Sequence, residues 1–369
     1  MKKTSDLNSD FKYVLLDENQ QDIDLREKLS FLYASPFADI LWWELRDLSL
    51  KDNGYYKLFY YEQNELKQII LFKYSDKSQK KIFVINKVFK ITKEEIENIC
   101  HILFYEFDKS QQIIFDRLYE PTEKKSSKIL FEKTSNDVII LNIPNTMDTY
   151  MKTLGTSIQK NVQYMKRRIS KDFPKFEVHY LENNEIKLEQ IEKIVSLNKD
   201  RMKTKGQESL LNKLESNALH QYAVTSGFGF LCVCIINDQI IGGTINSVIG
   251  EHAYLHVISH DIAYNKYSIG QIALIHATQY LIEKKNIKYY HLLFGTSDYK
   301  FRHGGVNHEL YAIRSFRKND VYYFCGKTMS VIRGNYRILK RKLKYNKTFY
   351  SWYFKLNKMK TKLLDFIEK

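Results

Sequence analysis

Apolar residues recur with two different periods along the first half of the chain and predict a mixture of strands and helices. Runs typical of strands occupy residues 55–61, 66–74, 82–88, 112–118 and 138–143. Thr92 and Glu95 form a capping box, and the residues after it are apolar at helical spacing. An apolar stretch at 31–43 predicts a short helix. This half is therefore expected to be α+β.

The second half predicts helices, then an antiparallel meander, then a crossover helix followed by two strands. Helices are expected at 156–171, 188–203, 208–224 and 268–285, and strands at 228–236, 240–249, 251–259, 288–294 and 308–317. Asn237 and Asp238 suit the turn between the first two of these strands, because both tolerate left-handed backbone. The two halves are compatible with one plan, although no repeat is visible in the sequence.

The pattern divides the chain into four segments, in keeping with a length of 369 residues that exceeds one average domain. They are a polar lead-in (1–28), an N-terminal domain (29–150), a C-terminal domain (151–325) and a basic helical tail (326–369). The fold class is mixed α/β of the α+β kind. Each domain is expected to hold a twisted, mostly antiparallel sheet with flanking helices.

Positive charge is concentrated at the end of the chain. The whole sequence has 58 Lys and Arg against 43 Asp and Glu, and residues 327–369 alone hold 13 of the former and two of the latter. A solvated helix face explains such a cluster, and so does a surface for RNA, a nucleotide or an anionic membrane. The sequence leaves these alternatives open.

The expected cellular setting follows from what the sequence lacks. No apolar run approaches the roughly 20 residues that cross a bilayer, and the first residues lack the apolar core of a secretory signal. The four cysteines are too few for a disulfide framework, and Cys232 and Cys234 are expected to be buried on one face of a strand. A cytoplasmic protein is expected.

Neither a metal site nor a hydrolase site is expected. His252, His256 and His260 recur at every fourth position, but on a strand they spread over more than roughly 20 Å, which is too far for one ion. No Gly-x-Ser-x-Gly elbow occurs, and no pair of carboxylates typical of glycosidases.

The start of the predicted crossover helix is the first place where chemistry is expected. Ser268 is a suitable N-cap, Gly270 allows close backbone approach, and Lys266 adds positive charge. The first-turn amides and the helix dipole together favour an anion there. This is not a Walker loop, and a serine-capped helix with an early glycine is also a common structural feature.

The loop after the strand at 288–294 is the second such place. It holds Asp298, Tyr299, Lys300, Arg302, His303, Gly304 and Gly305. So many functional side chains are unusual for a mere connection, and loops at strand ends often carry function. A plain solvent loop is the alternative.

These residues, in this order, resemble the GNAT-superfamily acetyltransferases of the CelD-like kind, which are similar in turn to the FemAB-like double-GNAT aminoacyltransferases. The motifs are Arg201-Met-Lys-Thr-Lys-Gly206, Tyr254-Leu-His256, the run from Asp261 to Gly270, and Gly295-Thr-Ser-Asp-Tyr299-Lys300. The resemblance spans about residues 150–317, and Ser35-Pro-Phe37 with Trp42 or Trp43 fits the family's opening more loosely. The superfamily's usual glycine-rich acetyl-CoA loop is missing.

The resemblance implies two GNAT-like domains, each with a splayed pair of strands, and an acyl donor held between the splayed strands of the second domain. The donor is implied to be acetyl-CoA or another acyl-CoA, with its pyrophosphate near Lys266, Ser268 and Gly270. Backbone amides near Val257 to Ser259 are implied to hold the oxyanion.

The resemblance also implies roles for side chains. Tyr299 is the expected proton donor to the leaving group and Lys300 an anion clamp. His256 or Glu251 is expected to relay a proton through water. Contacts with the substrate are expected from Arg201, Tyr254, Asp298 and His303.

Three functions fit these expectations. The leading one is transfer of an acetyl or other acyl group from acyl-CoA to an amine of a small molecule or amino sugar, in polysaccharide or secondary-metabolite biosynthesis and without a metal. The alternative is a FemAB-like transferase that takes an aminoacyl group from tRNA, which the pair Gly304-Gly305 and the basic tail favour. The third is an inert binding module that uses its tail on nucleic acid or an anionic membrane.

Overall fold

A computed structural model describes residues 3–8, 11–20, 22–47, 49–50, 54–75, 80–121, 123–124, 128–134, 137–204, 208–295, 297–318, 323–332 and 334. Most of the predicted basic tail, 326–369, lies outside the described residues. None of the helices in the described ranges is both long and apolar enough to span a membrane.

Fifteen strands lie in the described residues. In chain order they are β1 (Lys3–Asn8), β2 (Phe11–Leu16), β3 (Tyr56–Glu62), β4 (Glu65–Ser75), β5 (Lys81–Val84), β6 (Gln112–Tyr119), β7 (Ile129–Lys133), β8 (Val138–Asn142), β9 (Phe176–Glu182), β10 (Gly229–Ile236), β11 (Gln239–Ile249), β12 (His252–His260), β13 (Tyr289–Phe294), β14 (Val306–His308) and β15 (Leu310–Phe316).

The helices flank these strands. They are α1 (Leu25–Tyr33), α2 (Ile40–Glu44), α3 (Lys93–Glu106), α4 (Met147–Thr153), α5 (Thr156–Asp172), α6 (Leu188–Thr204), α7 (Lys213–Ser226), α8 (Ile269–Glu283) and α9 (Asp298–Arg302). Two 3₁₀ segments, Asn183–Glu185 and Ile262–Tyr267, precede α6 and α8. The predicted capping box of α3 is confirmed, because Thr92 and Glu95 cap each other's amides.

The strands form two sheets. The first has the order β1-β2-β3-β4-β5-β6-β15-β7, and the second has the order β14-β8-β13-β12-β11-β10-β9. Neighbouring strands pair antiparallel except at β5 with β6 and at β12 with β13, which are parallel. The predicted α+β class with two mostly antiparallel sheets is confirmed.

Both sheets follow one plan. In each, a meander leads through a crossover helix to a strand parallel to its neighbour, and the parallel pairing covers only three positions. The crossover helix is α3 in the first sheet and α8 in the second. The repeat is not visible in the sequence because alternation of apolar residues fixes which strand face is buried, and not which residues fill it.

The two sheets exchange strands near one edge of each sheet. β8, from the first half of the chain, pairs with β13 in the second sheet, and β15 pairs with β6 in the first. The expected boundary at residue 150 therefore divides the chain without dividing the sheets, and two connections tie the domains together.

The expected polar lead-in contains strand β2. Tyr13 is fully buried, and its hydroxyl donates a 2.6 Å hydrogen bond to Glu106 of α3. Apolar residues alternate with other residues at Phe11, Tyr13 and Leu15, as expected for a half-buried strand. This alternation is the sequence pattern that predicts β2.

Contact between the domains centres on α2. Trp42 stacks on His256 of β12 with 4.7 Å between ring centroids. The Arg46 guanidinium lies 3.6 Å from the centroid of the Trp42 ring and pairs with Glu215 of α7 at 3.1 Å. The Trp42–His256 ring stack and the Arg46–Glu215 ion pair thus hold α2 against the second domain.

Candidate active site

β12 and β13 separate after three paired positions, and the space between them is the candidate active site. Pairing runs from His252 with Tyr289 to Tyr254 with His291 and then ends. Beyond Tyr254, β12 is paired with β11 on its other side. We call the space between the diverging strands the strand gap, and its narrow end lies at Tyr254 and His291.

A β-bulge in β12 turns one backbone amide toward the strand gap. The pairing of β11 with β12 skips His256, which is left as the extra residue. Asp261 donates its N–H to β11, and alternate residues of an antiparallel strand point the same way. The amides of Val257 and Ser259, expected to hold the oxyanion, therefore face β11. The N–H of Ile258 faces the strand gap instead.

Arg201 and Tyr299 approach the strand gap from opposite faces of the sheet. Arg201, near the end of α6, donates from Nη2 to the Ile258 carbonyl oxygen (3.4 Å), and its buried Nε has no hydrogen-bond partner. Tyr299, on α9, packs against the apolar cluster beneath α8. Burial raises the pKa of Tyr299 to about 12, against the opposing effect of the Arg201 charge. The phenol is therefore protonated at neutral pH and can donate a proton.

Lys300 is buried, which corrects its expected role as an anion clamp. Its ammonium donates to the carbonyl oxygens of Leu293 (3.0 Å) and Phe294 (2.7 Å) at the end of β13. Burial lowers the pKa of Lys300 to about 8. The side chain thus fixes the end of β13 beside the strand gap.

His256 lies beside the strand gap and is neutral at pH 7. Its Nε2 is 2.6 Å from the Ser247 hydroxyl, and its ring stacks on Trp42. Burial lowers the pKa of His256 to about 3, and the nearby Arg46 charge acts in the same direction. An imidazole with so low a pKa is a weak base at neutral pH, which argues against its expected role as a proton relay.

Glu251 is not brought to the strand gap, which corrects the expectation that it relays a proton. It lies in the turn before β12 and forms an exposed ion pair with Lys288 at 2.5 Å. Five residues of extended strand, roughly 16 Å, separate it from His256. Its role is therefore that of a surface charge.

The start of α8 differs from its expected cap. Ser268 has left-handed backbone (φ 52°) and makes no side-chain capping hydrogen bond. The Lys266 ammonium lies 4.9 Å from the centroid of the Tyr267 ring. A Cβ on Gly270 would lie 3.2 Å from the Nδ1 atom of the His260 ring, a tight contact that a shift of a few tenths of an ångström in that ring would relieve.

A cavity of about 240 Å³ adjoins Tyr299. It is lined by Ser157, Ile158, Asn161, Gln271, Tyr299, Arg302 and His303. His303 is buried, and its Nδ1 lies 3.4 Å from the Tyr150 hydroxyl. Asp298, also expected to bind substrate, is exposed and pairs with Arg302 at 2.9 Å. Of Asp298 and His303, only His303 lines the cavity.

The pair Gly304-Gly305 has a packing cause. Gly304 has a left-handed φ of 89°, and a Cβ on Gly305 would lie 2.8 Å from the carbonyl oxygen of Lys300. The two glycines therefore serve the turn that follows α9, and they no longer favour a tRNA donor.

The histidines at every fourth position do not converge. His252 bonds His291 (2.9 Å), and His260 bonds Asn265 (2.8 Å), while His256 meets Ser247. Within the part of the chain that the structure describes, no group of three or more His, Cys, Asp or Glu side chains is placed to hold a metal ion.

In the first domain, the equivalent gap between β5 and β6 is closed by backbone hydrogen bonds from the segment that follows β5. After β5, Val88 donates its N–H to Arg117 (2.7 Å), and Tyr119 donates to Phe89 (3.2 Å). The first turn of α3 is also occupied, because the carboxylate of Glu95 accepts from the N-cap amide. A donor phosphate would meet this carboxylate and be repelled. Of the two gaps in the described residues, the second is the one in which the strand edge beyond Tyr254 has no backbone hydrogen-bond partner across the gap.

Phe37 lies at the candidate site, although the sequence pattern indicated no role for it. It belongs to the loop between α1 and α2, yet its ring contacts Tyr254 on β12 and Phe294 on β13. The motif Ser35-Pro-Phe37 was visible, but nothing in a local pattern shows that a residue of one domain reaches a gap in the other.

Comparisons with known proteins agree with this geometry. Residues 158–301 match the family model described as an acetyltransferase (GNAT) domain. A conserved protein of unknown function from Bacteroides thetaiotaomicron VPI-5482 is 12% identical, with a TM-score of 0.51 over 82% of this chain and 100% of that chain. FemX is 11% identical, with a TM-score of 0.55 over 80% of this chain and 97% of that chain. A search of curated proteins finds no significant match.

The two sheets follow the fold that FemX also has, and the second domain, which holds the strand gap, is similar to the acetyltransferase (GNAT) domain. The match of the second domain to the acetyltransferase domain supports transfer of an acyl or aminoacyl group in general. The expected superfamily and enzyme class are confirmed.

Proposed function

We propose that the protein is an acyl-CoA-dependent N-acyltransferase. It transfers an acetyl or other acyl group to an amine of a small molecule or amino sugar, in polysaccharide or secondary-metabolite biosynthesis. The observation that carries the proposal is the Ile258 N–H at the strand gap, together with the protonated Tyr299, which packs against the same apolar cluster as Ile258. A thioester needs these two groups, one for its oxyanion and one for its leaving sulfur.

The reaction is direct attack of the amine nitrogen on the thioester carbonyl, in which a C–N bond forms and the C–S bond breaks. Ile258 donates its N–H to the developing oxyanion, and one such donor is typically worth about 10²–10³ in rate. Tyr299 gives its proton to the leaving thiolate. The amine nitrogen loses its proton to solvent water, because the His256 imidazole, with a pKa of about 3, is too weak a base to accept it at pH 7.

The pyrophosphate of the donor is assigned to the first turn of α8. Gln271 and Ile272 donate to the Ser268 carbonyl, and within the described residues the N–H groups of Ile269 and Gly270 have no backbone partner. Free amides at a helix N-terminus favour an anion. From there the pantetheine arm runs along the strand gap toward Ile258.

Aminoacyl transfer from tRNA is the second candidate, and the outer face of α5 favours it. Lys160, Tyr164, Arg167 and Lys171 share this face, and Tyr164 is 56% exposed. Cations bind phosphates, and nucleic acid bases stack on exposed aromatic rings. The first turn of α5 also lines the cavity beside Tyr299.

Thermal protection separates the two candidates. The melting temperature of the purified protein is measured with acetyl-CoA and, in parallel, with bulk tRNA. The proposal predicts stabilisation by acetyl-CoA, worth about 2.7 kcal/mol at a hundredfold excess over Kd. Stabilisation by tRNA alone, weakening steeply between about 50 and 200 mM salt, would overturn the proposal in favour of the second candidate.

A further inference from the structure

The loop between α1 and α2 carries Phe37 across the domain boundary to the strand gap, where its ring lies between β12 and the last residue of β13. The Phe37 ring centroid lies 6.1 Å from Tyr254, 6.4 Å from His256 and 5.6 Å from Phe294. Tyr254 and His256 belong to β12, and Phe294 ends β13, so the ring bridges the two strands that bound the gap. It is buried, with 5% of its surface exposed.

Hydrogen bonds hold the Phe37 backbone in place. Its carbonyl oxygen accepts from the Lys87 N–H (2.9 Å) and from Trp43 Nε1 (2.8 Å). Three residues earlier, the Ala34 carbonyl accepts from the Tyr254 hydroxyl (2.7 Å). The ring also meets Trp42 edge to face at 5.3 Å. A side chain fixed on both sides cannot swing away at low cost.

In the proposed binding mode, the acyl-CoA donor enters the strand gap from its wide end, and its acyl group meets the Phe37 ring. The phosphates are assigned to α8, which follows the wide end, and the thioester lies at Ile258. The acyl group therefore points onward to the narrow end. His256, which faces Phe37, lies two residues of extended strand, roughly 7 Å, beyond Ile258.

We propose that Phe37 forms the end wall of the acyl site and restricts the donor to short acyl groups such as acetyl. The inference rests on the proposed function and names the acyl class that it leaves open. A longer acyl chain would have to displace a ring that is packed and hydrogen-bonded in place, and such overpacking is unfavourable.

Binding of unreactive thioether analogues tests the inference without knowledge of the acceptor. The affinities of CoA, S-ethyl-CoA and S-octyl-CoA are measured by calorimetry for the wild-type protein and for Phe37→Ala. The wild-type protein should prefer the ethyl analogue over the octyl analogue by at least about tenfold. Phe37→Ala should lose this preference or reverse it, while CoA itself binds within about twofold of wild type.

Two further variants keep the test decisive. Phe37→Leu removes less volume, so it should fold if Phe37→Ala does not, and it should shift the preference in the same direction. Phe59→Ala removes an equally buried phenylalanine from the apolar core of the first domain and should leave the preference unchanged.

The outcomes distinguish a failure of the role proposed for Phe37 from a failure of the proposed function. An unchanged ethyl-to-octyl preference in folded Phe37→Ala and Phe37→Leu, with CoA still bound, would overturn the role of Phe37 alone. Failure of the wild-type protein to bind CoA or either analogue would overturn the proposed function, and this inference with it.

Discussion

The Tyr254 hydroxyl donates a 2.7 Å hydrogen bond to the carbonyl oxygen of Ala34 and so ties the strand gap of the second domain to the first domain. The Tyr254 ring also stacks on His291 of β13 with 4.2 Å between centroids. Tyr254 was expected to contact the substrate, but its hydroxyl is engaged in this anchor. The first domain is therefore part of the candidate site.

Tyr254→Phe should lower the free energy of unfolding by about 1–3 kcal/mol, because the buried Ala34 carbonyl loses its donor. Denaturant titration measures the change. Tyr119→Phe is the matched control, since the nearest partner of the Tyr119 hydroxyl is 3.5 Å away, and it should change stability by no more than about 0.5 kcal/mol. Equal effects of the two variants would contradict the anchor.

Tyr299→Phe should slow acyl transfer by about 10²–10⁴-fold and leave acyl-CoA affinity unchanged, because the hydroxyl acts on the leaving thiolate. Thiol release measures the rate. Since burial raises the pKa of Tyr299 to about 12, the wild-type rate should show no loss from this group up to about pH 11. Full activity of the variant would remove Tyr299 from the mechanism.

Lys300→Met should destabilise the fold by about 1–3 kcal/mol, because the carbonyls of Leu293 and Phe294 lose their donor. The pKa of Lys300 is about 8 in the folded protein and about 10.4 in an unfolded chain, so the unfolded chain binds more protons between these values. The stability of the wild-type protein relative to the variant should therefore rise from pH 8 to pH 10. A flat difference across this range would contradict the burial of the ammonium.

Charge reversal on α5 distinguishes the two donors. If acyl-CoA is the donor, the double variant Arg167→Glu and Lys171→Glu should keep its acyl-transfer rate within about twofold, because both side chains are exposed on the outer face of the helix. If tRNA is the donor, the same variant should lose RNA binding, as measured by filter retention at low salt.

Much of the fold could be predicted because its elements are locally encoded. The capping box at Thr92, the turn at Asn237-Asp238 and the crossover helix α8 each depend on residues that are close in sequence. The exchange of β8 and β15 between the sheets could not be predicted, because strand pairing across about 150 residues or more leaves no local pattern.

The candidate site was predicted in part. Arg201, His256 and Tyr299 lie around the strand gap, as the resemblance implied. Lys300 was misjudged because a loop lysine is usually exposed, and only the tertiary structure shows the carbonyls that bind it. The oxyanion amide was expected near Val257 to Ser259, but which amide of this stretch faces the gap could not be predicted, because the bulge at His256 sets it and a bulge has no reliable sequence signal.

Calorimetric titration with acetyl-CoA tests the central claim most directly. Wild-type protein should bind one acetyl-CoA per chain, and Gly270→Glu should weaken this affinity at least tenfold without a large change in melting temperature, because it places a carboxylate at the assigned phosphate site. Gly155→Glu is the control, since it adds the same charge at the start of α5 with no atom within 4 Å of its Cβ, and it should bind normally. Equal affinity of Gly270→Glu and wild-type protein, or no binding by either, would contradict the account.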